Sequence, residues 1–109
     1  MHTNRKGLQF SSKDVYDYST LTSVMAAWLE KFIEVSRTHP FAHAPRYYVD
    51  NNGGDVDIAF EKWINDLQET LDVLQLPEPS EYGEGLHRWQ CQQRLALRFM
   101  FKHWEDFWI

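Results

Sequence analysis

Three stretches of this chain repeat apolar residues at steps of three and four, a period that belongs to one face of a helix. In the first, STLTSVMAAWLEKFIEVSRTH, the repeating positions are Leu21, Val24, Met25, Trp28, Leu29, Phe32 and Ile33. A hydroxyl from Ser19 or Thr20 can accept from the free amides of the first turn. Pro40 closes the helix, because the residue before a proline is pushed out of helical backbone. The second stretch repeats Val56, Phe60, Trp63, Ile64, Leu67, Leu71 and Leu74, with Asp55 or Asp57 as cap. An acid at that end also complements the helix dipole.

The third stretch differs. Leu86, Trp89, Ala96, Leu97, Met100, Trp104 and Trp108 form a stripe, with Leu95, Phe99 and Phe101 to either side of it. A helix apolar over more than half its circumference needs cover on more than one side. The pattern therefore predicts either the central helix of a bundle or a helix that docks a second chain. Arg94, Arg98 and Lys102 add a basic strip at four-residue spacing.

Turn-forming residues divide these stretches. PFAHAPRYYVDNNGGD holds two prolines and two glycines and reads as a long loop, with RYYVD as a short extended piece inside it. LPEPSEYGEG makes the next break, and GLQFSSKDVYDY reads as an extended or turn region before the first helix. The expected fold is all-α: one domain over residues 1–109, a small bundle of three main helices at about 20–38, 56–75 and 86–106, with a long loop between the first and second.

Composition narrows the class. Hydrophobic residues at 43% and charged residues at 25% are ordinary for a globular chain. No apolar run reaches the 18 residues of a membrane span, and MHTNRKGLQF lacks the apolar stretch of a secretory signal. The single cysteine, Cys91, leaves no internal disulfide and fits a cytoplasmic protein with a reduced thiol. Its simplest role is that of a small buried hydrophobe.

Charge is segregated. From Asp50 to Glu84 ten acids stand against one base, Lys62, while residues 85–109 carry Arg88, Arg94, Arg98 and Lys102 against Glu105 and Asp106. A nucleic-acid binder would show a dominant basic surface, and this chain does not. The acidic block would instead steer a basic partner and speed its association. A plainer reading is internal: the basic strip of the third helix faces these acids across a helix pair, where exposed pairs contribute about 0–1 kcal/mol each.

No motif specifies a reaction. His39 and His43 lie four apart, but Pro40 and Pro45 break the helix that would align them as metal ligands, and no cysteine pair or HExxH accompanies them. Asp57 and Glu61 could work as an acid–base pair, yet a polar helix face gives carboxylates no burial. No serine lies in a nucleophile elbow, and neither NNGGD nor YGEG is a phosphate-binding loop. The expectation is a chain with no enzymatic role, no cofactor and no metal.

Aromatic content completes the picture. Seven Phe, five Tyr and five Trp exceed what a core this size needs, and Trp, Tyr and Arg dominate interface energetics. The chain closes on Phe107-Trp108-Ile109, one turn after Trp104, and such groups must be covered by the protein's own core or by another protein. The expected activity is binding of a basic protein partner, as a stoichiometric inhibitor or immunity-type protein against a nucleic-acid-handling target. The candidate contact residues are Asp57, Glu61, Asp72, Arg46, Tyr47, Tyr48, Arg98, Trp104, Phe107 and Trp108. The alternative is an assembly subunit that forms a homodimer through its aromatic C-terminal helix.

Overall fold

A computed structural model describes residues 2–3, 9–10 and 18–107. The fold is all-α, with three long helices and one short one among the described residues. Helix α1 is Tyr18–Thr38, α2 is Arg46–Asp50, α3 is Val56–Leu74 and α4 is Glu84–Lys102, followed by a 3-10 turn over Trp104–Asp106. The only strand pairing among the described residues is a two-residue antiparallel ladder, β1 (His2–Thr3) with β2 (Gln9–Phe10), which pairs His2 with Phe10.

Helix α1 ends at Thr38, ahead of Pro40, as the proline requires. It begins at Tyr18, so Ser19 and Thr20 lie in its first turn rather than at its cap. Asp55 caps α3: its side chain accepts from the backbone amides of Asp57, at 3.0 Å, and Ile58, at 3.1 Å. That choice makes Asp57 a first-turn acid, where the helix dipole favours it.

The long connection between α1 and α3 is not plain loop. RYYVD is helical, not extended. Pro45 sits at its N-cap with φ −57°, a value already suited to a helix start, and its carbonyl accepts from Tyr48 N at 2.9 Å. The helix stops in NNGG, where Gly53 and Gly54 take φ of 66° and 81°, a region that favours glycine.

Helix α3 is the centre of the bundle and packs against α1, α2 and α4. Ala59, Trp63, Ile64, Leu67, Leu71 and Leu74 bury its inner face, while Val56 and Ile58 at its start are exposed. The sequence pattern allows the third long helix to be either this centre or a docking helix. That helix, α4, buries only a narrow stripe, Trp89, Gln93, Ala96 and Met100, and leaves Leu95 and Phe101 in solvent. Ala26 lies with Leu74 and Trp89 around one surface depression, and Phe107 packs against Trp28, Phe32 and Trp63.

Leu29, Trp63, Leu67, Met100 and Gln93 are the largest fully buried side chains among the described residues. Burial of a leucine such as Leu67 contributes about 1.5–3 kcal/mol. Two side chains of α4 tie it to the end of α3 and to the loop that follows. Trp89 Nε1 donates to the carbonyl of Leu76 at 3.0 Å, and Gln93 Nε2 donates to that of Val73 at 2.5 Å. No helix among the described residues is long and apolar enough to cross a membrane.

Candidate protein-binding site

Helical geometry sets the first part of the site. Asp57, Glu61, Asn65, Gln68 and Asp72 follow at steps of four, four, three and four, so they form one polar strip along α3. Asp57, Glu61 and Asp72 are all exposed. Gln68 Nε2 donates to Asp72 at 3.0 Å, and no cation lies within ion-pair distance of the three acids among the described residues.

The basic strip of α4 does not neutralise them. Arg94, Arg98 and Lys102 are exposed, and none pairs with an acid of α3 among the described residues. The ion pairs present are Lys31 with Glu34, Arg46 with Asp50 and His103 with Asp106. All three are local to one segment, so the sequence's charge segregation persists on the folded surface.

The second part of the site comes from α2. Arg46 and Tyr47 project into solvent, with Arg46 bound only to Asp50 at 3.7 Å. Tyr48 does the opposite. It is 8% exposed and packs edge-on against Trp63, with ring centroids 5.2 Å apart. As an exposed anchor Tyr48 is therefore corrected to a core residue. A helix turns successive residues by about 100°, so Tyr47 and Tyr48 cannot share a face.

Tyr48 still carries chemistry at its tip. Its hydroxyl donates to the Asp66 carboxylate of α3 at 2.5 Å. Burial first, then that hydrogen bond and the Asp66 charge, push the phenol well above its ordinary range, so it stays a donor. Asp66 was missed at the sequence level. Nothing in the local spacing separates it from the other acids of α3.

The C-terminal aromatics divide. Phe107 is half-buried and meets Trp28 and Phe32 edge-to-face at 5.2 and 5.3 Å. It is a packing residue rather than an open anchor. Trp104 is 64% exposed and stacks on exposed Phe101 at 6.1 Å. Between α1 and α4 lies an apolar cleft of about 400 Å³, lined by Met25, Trp28, Met100, Trp104 and Phe107 among others. Trp108 lies outside the described residues.

His103 is a further residue that spacing did not single out. It is buried, its Nδ1 lies 2.8 Å from Asp106 Oδ2, and its ring packs 4.6 Å from Phe99 and 5.1 Å from Trp63. The pair holds the 3-10 turn against the core. His39 and His43 lie outside any helix, and each turns Nδ1 to the backbone of Phe41. Cys91 is half-exposed rather than buried, with its sulfur 3.7 Å from His87 Nε2. No group of three or more metal-ligating side chains converges among the described residues.

Comparison with protein-family models, with curated proteins and with solved structures gives no match to this chain.

Proposed function

We propose that this protein is a non-enzymatic binding module, a stoichiometric inhibitor or immunity-type protein that blocks a basic, nucleic-acid-handling target. The observation that carries this reading is the open strip of Asp57, Glu61 and Asp72 on α3, exposed and unpaired with any cation among the described residues. Carboxylates set along a rigid helix can stand where a basic target expects phosphates, and they raise the encounter rate with it. Tyr47, Arg46 and Arg98 are exposed and are proposed as further contact residues. The single thiol, Cys91, suits a reducing compartment such as the cytoplasm.

The test is capture from a cell extract by the wild-type protein and by a variant carrying Asp57→Lys, Glu61→Lys and Asp72→Lys, compared by quantitative mass spectrometry. Basic nucleic-acid-handling proteins should be enriched by the wild type and lost from the variant. Association with the captured partner should slow as salt rises, and less steeply for the variant. Identical captures by the two proteins would overturn the reading.

A second reading rests on a different observation. The Phe101–Trp104 stack and the adjoining cleft leave apolar surface on α4 in water. Surface of that kind marks association sites. Under this reading the helix completes a homodimer, and sedimentation across a wide concentration range separates the two.

A further inference from the structure

A pocket of about 430 Å³ opens between α2 and α3, beside the acidic strip, which contributes Asn65 to its wall. Its polar atoms are unevenly used. One carboxylate oxygen of Asp66 is held by the Tyr48 hydroxyl, and the other has no hydrogen-bond partner among the described residues. Asn51 turns its amide nitrogen to the carbonyl of Tyr47 at 2.9 Å, and Asn52 turns its own to that of Tyr48 at 2.6 Å. The side-chain oxygens of both asparagines accept no hydrogen bond among the described residues. The pocket thus offers a negative charge and a surplus of acceptors.

The exposed ring of Tyr47 forms another part of its wall. That ring already attracts a cation, since Lys102 Nζ lies 5.6 Å from its centroid. Positive charge within about 6 Å of an aromatic face is favoured by the ring quadrupole. A planar cation with several N–H donors matches this combination: it can stack on the ring and donate edge-on to a carboxylate and amide oxygens.

We infer that this pocket binds a guanidinium group. On the function proposed above, on which this identification of the source rests, it is an arginine side chain of the basic partner. Lys62 also lines the pocket and forms no ion pair among the described residues. Its charge opposes the ligand, which sets the sign of one test: neutralising Lys62 should tighten binding.

The experiment uses the full chain and follows its amide NMR spectrum during titration with N-acetyl-arginine methylamide. The control is the citrulline analogue, which has the same shape without charge. Saturable shifts should appear around Tyr47, Asn51, Asn52 and Asn65 with the arginine compound alone. Asp66→Asn, which keeps an acceptor for Tyr48, should weaken binding about tenfold. Lys62→Gln should strengthen it a few-fold. Unchanged thermal melting of both variants would show that folding is intact.

An oligo-arginine peptide distinguishes the sources. Tighter binding than the single residue, reduced by reversal of Asp57, Glu61 and Asp72, identifies a protein arginine. Equal binding of both identifies a free small guanidinium compound and overturns the partner assignment. Equal shifts with the citrulline analogue, or none with either compound, overturn the pocket itself. Loss of the pocket with partner capture intact would leave the proposed function standing. Arginine binding with capture indifferent to the acidic strip would sink the function and spare the pocket.

Discussion

The Tyr48 hydroxyl donates to Asp66 across the junction of α2 and α3 at 2.5 Å, joining residues 18 apart in sequence. This bond fastens the short helix to the central one. Five residues of helix cannot persist on propensity alone, so α2 depends on such contacts. Tyr48→Phe keeps the ring against Trp63 and removes only the hydroxyl. It should cost about 1.5–3 kcal/mol in urea denaturation, the range for a bond to a charged group. A loss within error would mean that water replaces the hydroxyl at Asp66 without penalty.

The same bond sets an alkaline limit. Burial and Asp66 raise the Tyr48 phenol above the value of about 10 that it has in the unfolded chain. The folded state therefore holds its proton where the unfolded state has lost it. The stabilisation is fully present below pH about 10 and drains away as pH rises above that, at up to about 1.4 kcal/mol per pH unit. Melting temperatures of the wild type should fall more steeply above pH about 10 than those of Tyr48→Phe, which lacks the group. Parallel slopes would remove Tyr48 as the cause.

Gln93 presents an opposite case, a buried group with one end unsatisfied. Its Nε2 donates to Val73 O, but its Oε1 is enclosed with no hydrogen-bond partner among the described residues. Val73 O also accepts from Leu76 N at 3.1 Å, so it keeps a partner if Gln93 is lost. Gln93→Leu removes the orphaned oxygen at similar volume and should be neutral or stabilising by about 1 kcal/mol. Gln93→Glu puts a carboxylate in the same place and should destabilise by several times that. Chemical denaturation of the two variants decides it; a leucine variant clearly weaker than wild type would show that the polar bond outweighs the orphan.

These residues mark how far the chain can be read from its letters. The three long helices were legible because their apolar period persists over five turns or more, and the cap at Asp55 because its signal is local. Helix α2 was not, since five residues are too few for a period and YYV favours extended backbone. The centre of the bundle was not legible for a related reason. The apolar breadth of α4 asks for cover on more than one side, which fits a central helix or a docking one alike, whereas α3, with small Ala59 beside Trp63, is the helix its neighbours can approach closely. Of the candidate contact residues, the α3 acids were readable as a strip from spacing alone. Asp66 was hidden, because its role comes from Tyr48 on another helix.

The closing aromatics give the sharpest contrast between neighbours in sequence. Phe107 fills the angle between Trp28 and Phe32, with Trp63 5.7 Å away, so Phe107→Ala removes buried area and two edge-to-face contacts. It should cost about 2–3 kcal/mol in thermal or urea unfolding. Trp104 touches Phe101 and the rim of the cleft but stays largely in water. Trp104→Ala should leave unfolding of the monomer within about 0.5 kcal/mol of wild type. If α4 forms a homodimer through this surface, the same substitution shifts sedimentation toward monomer while the fold holds. A Trp104 variant that is as destabilised as the Phe107 variant, at concentrations where the wild type is monomeric, would place the indole in the core and remove this face from any interface.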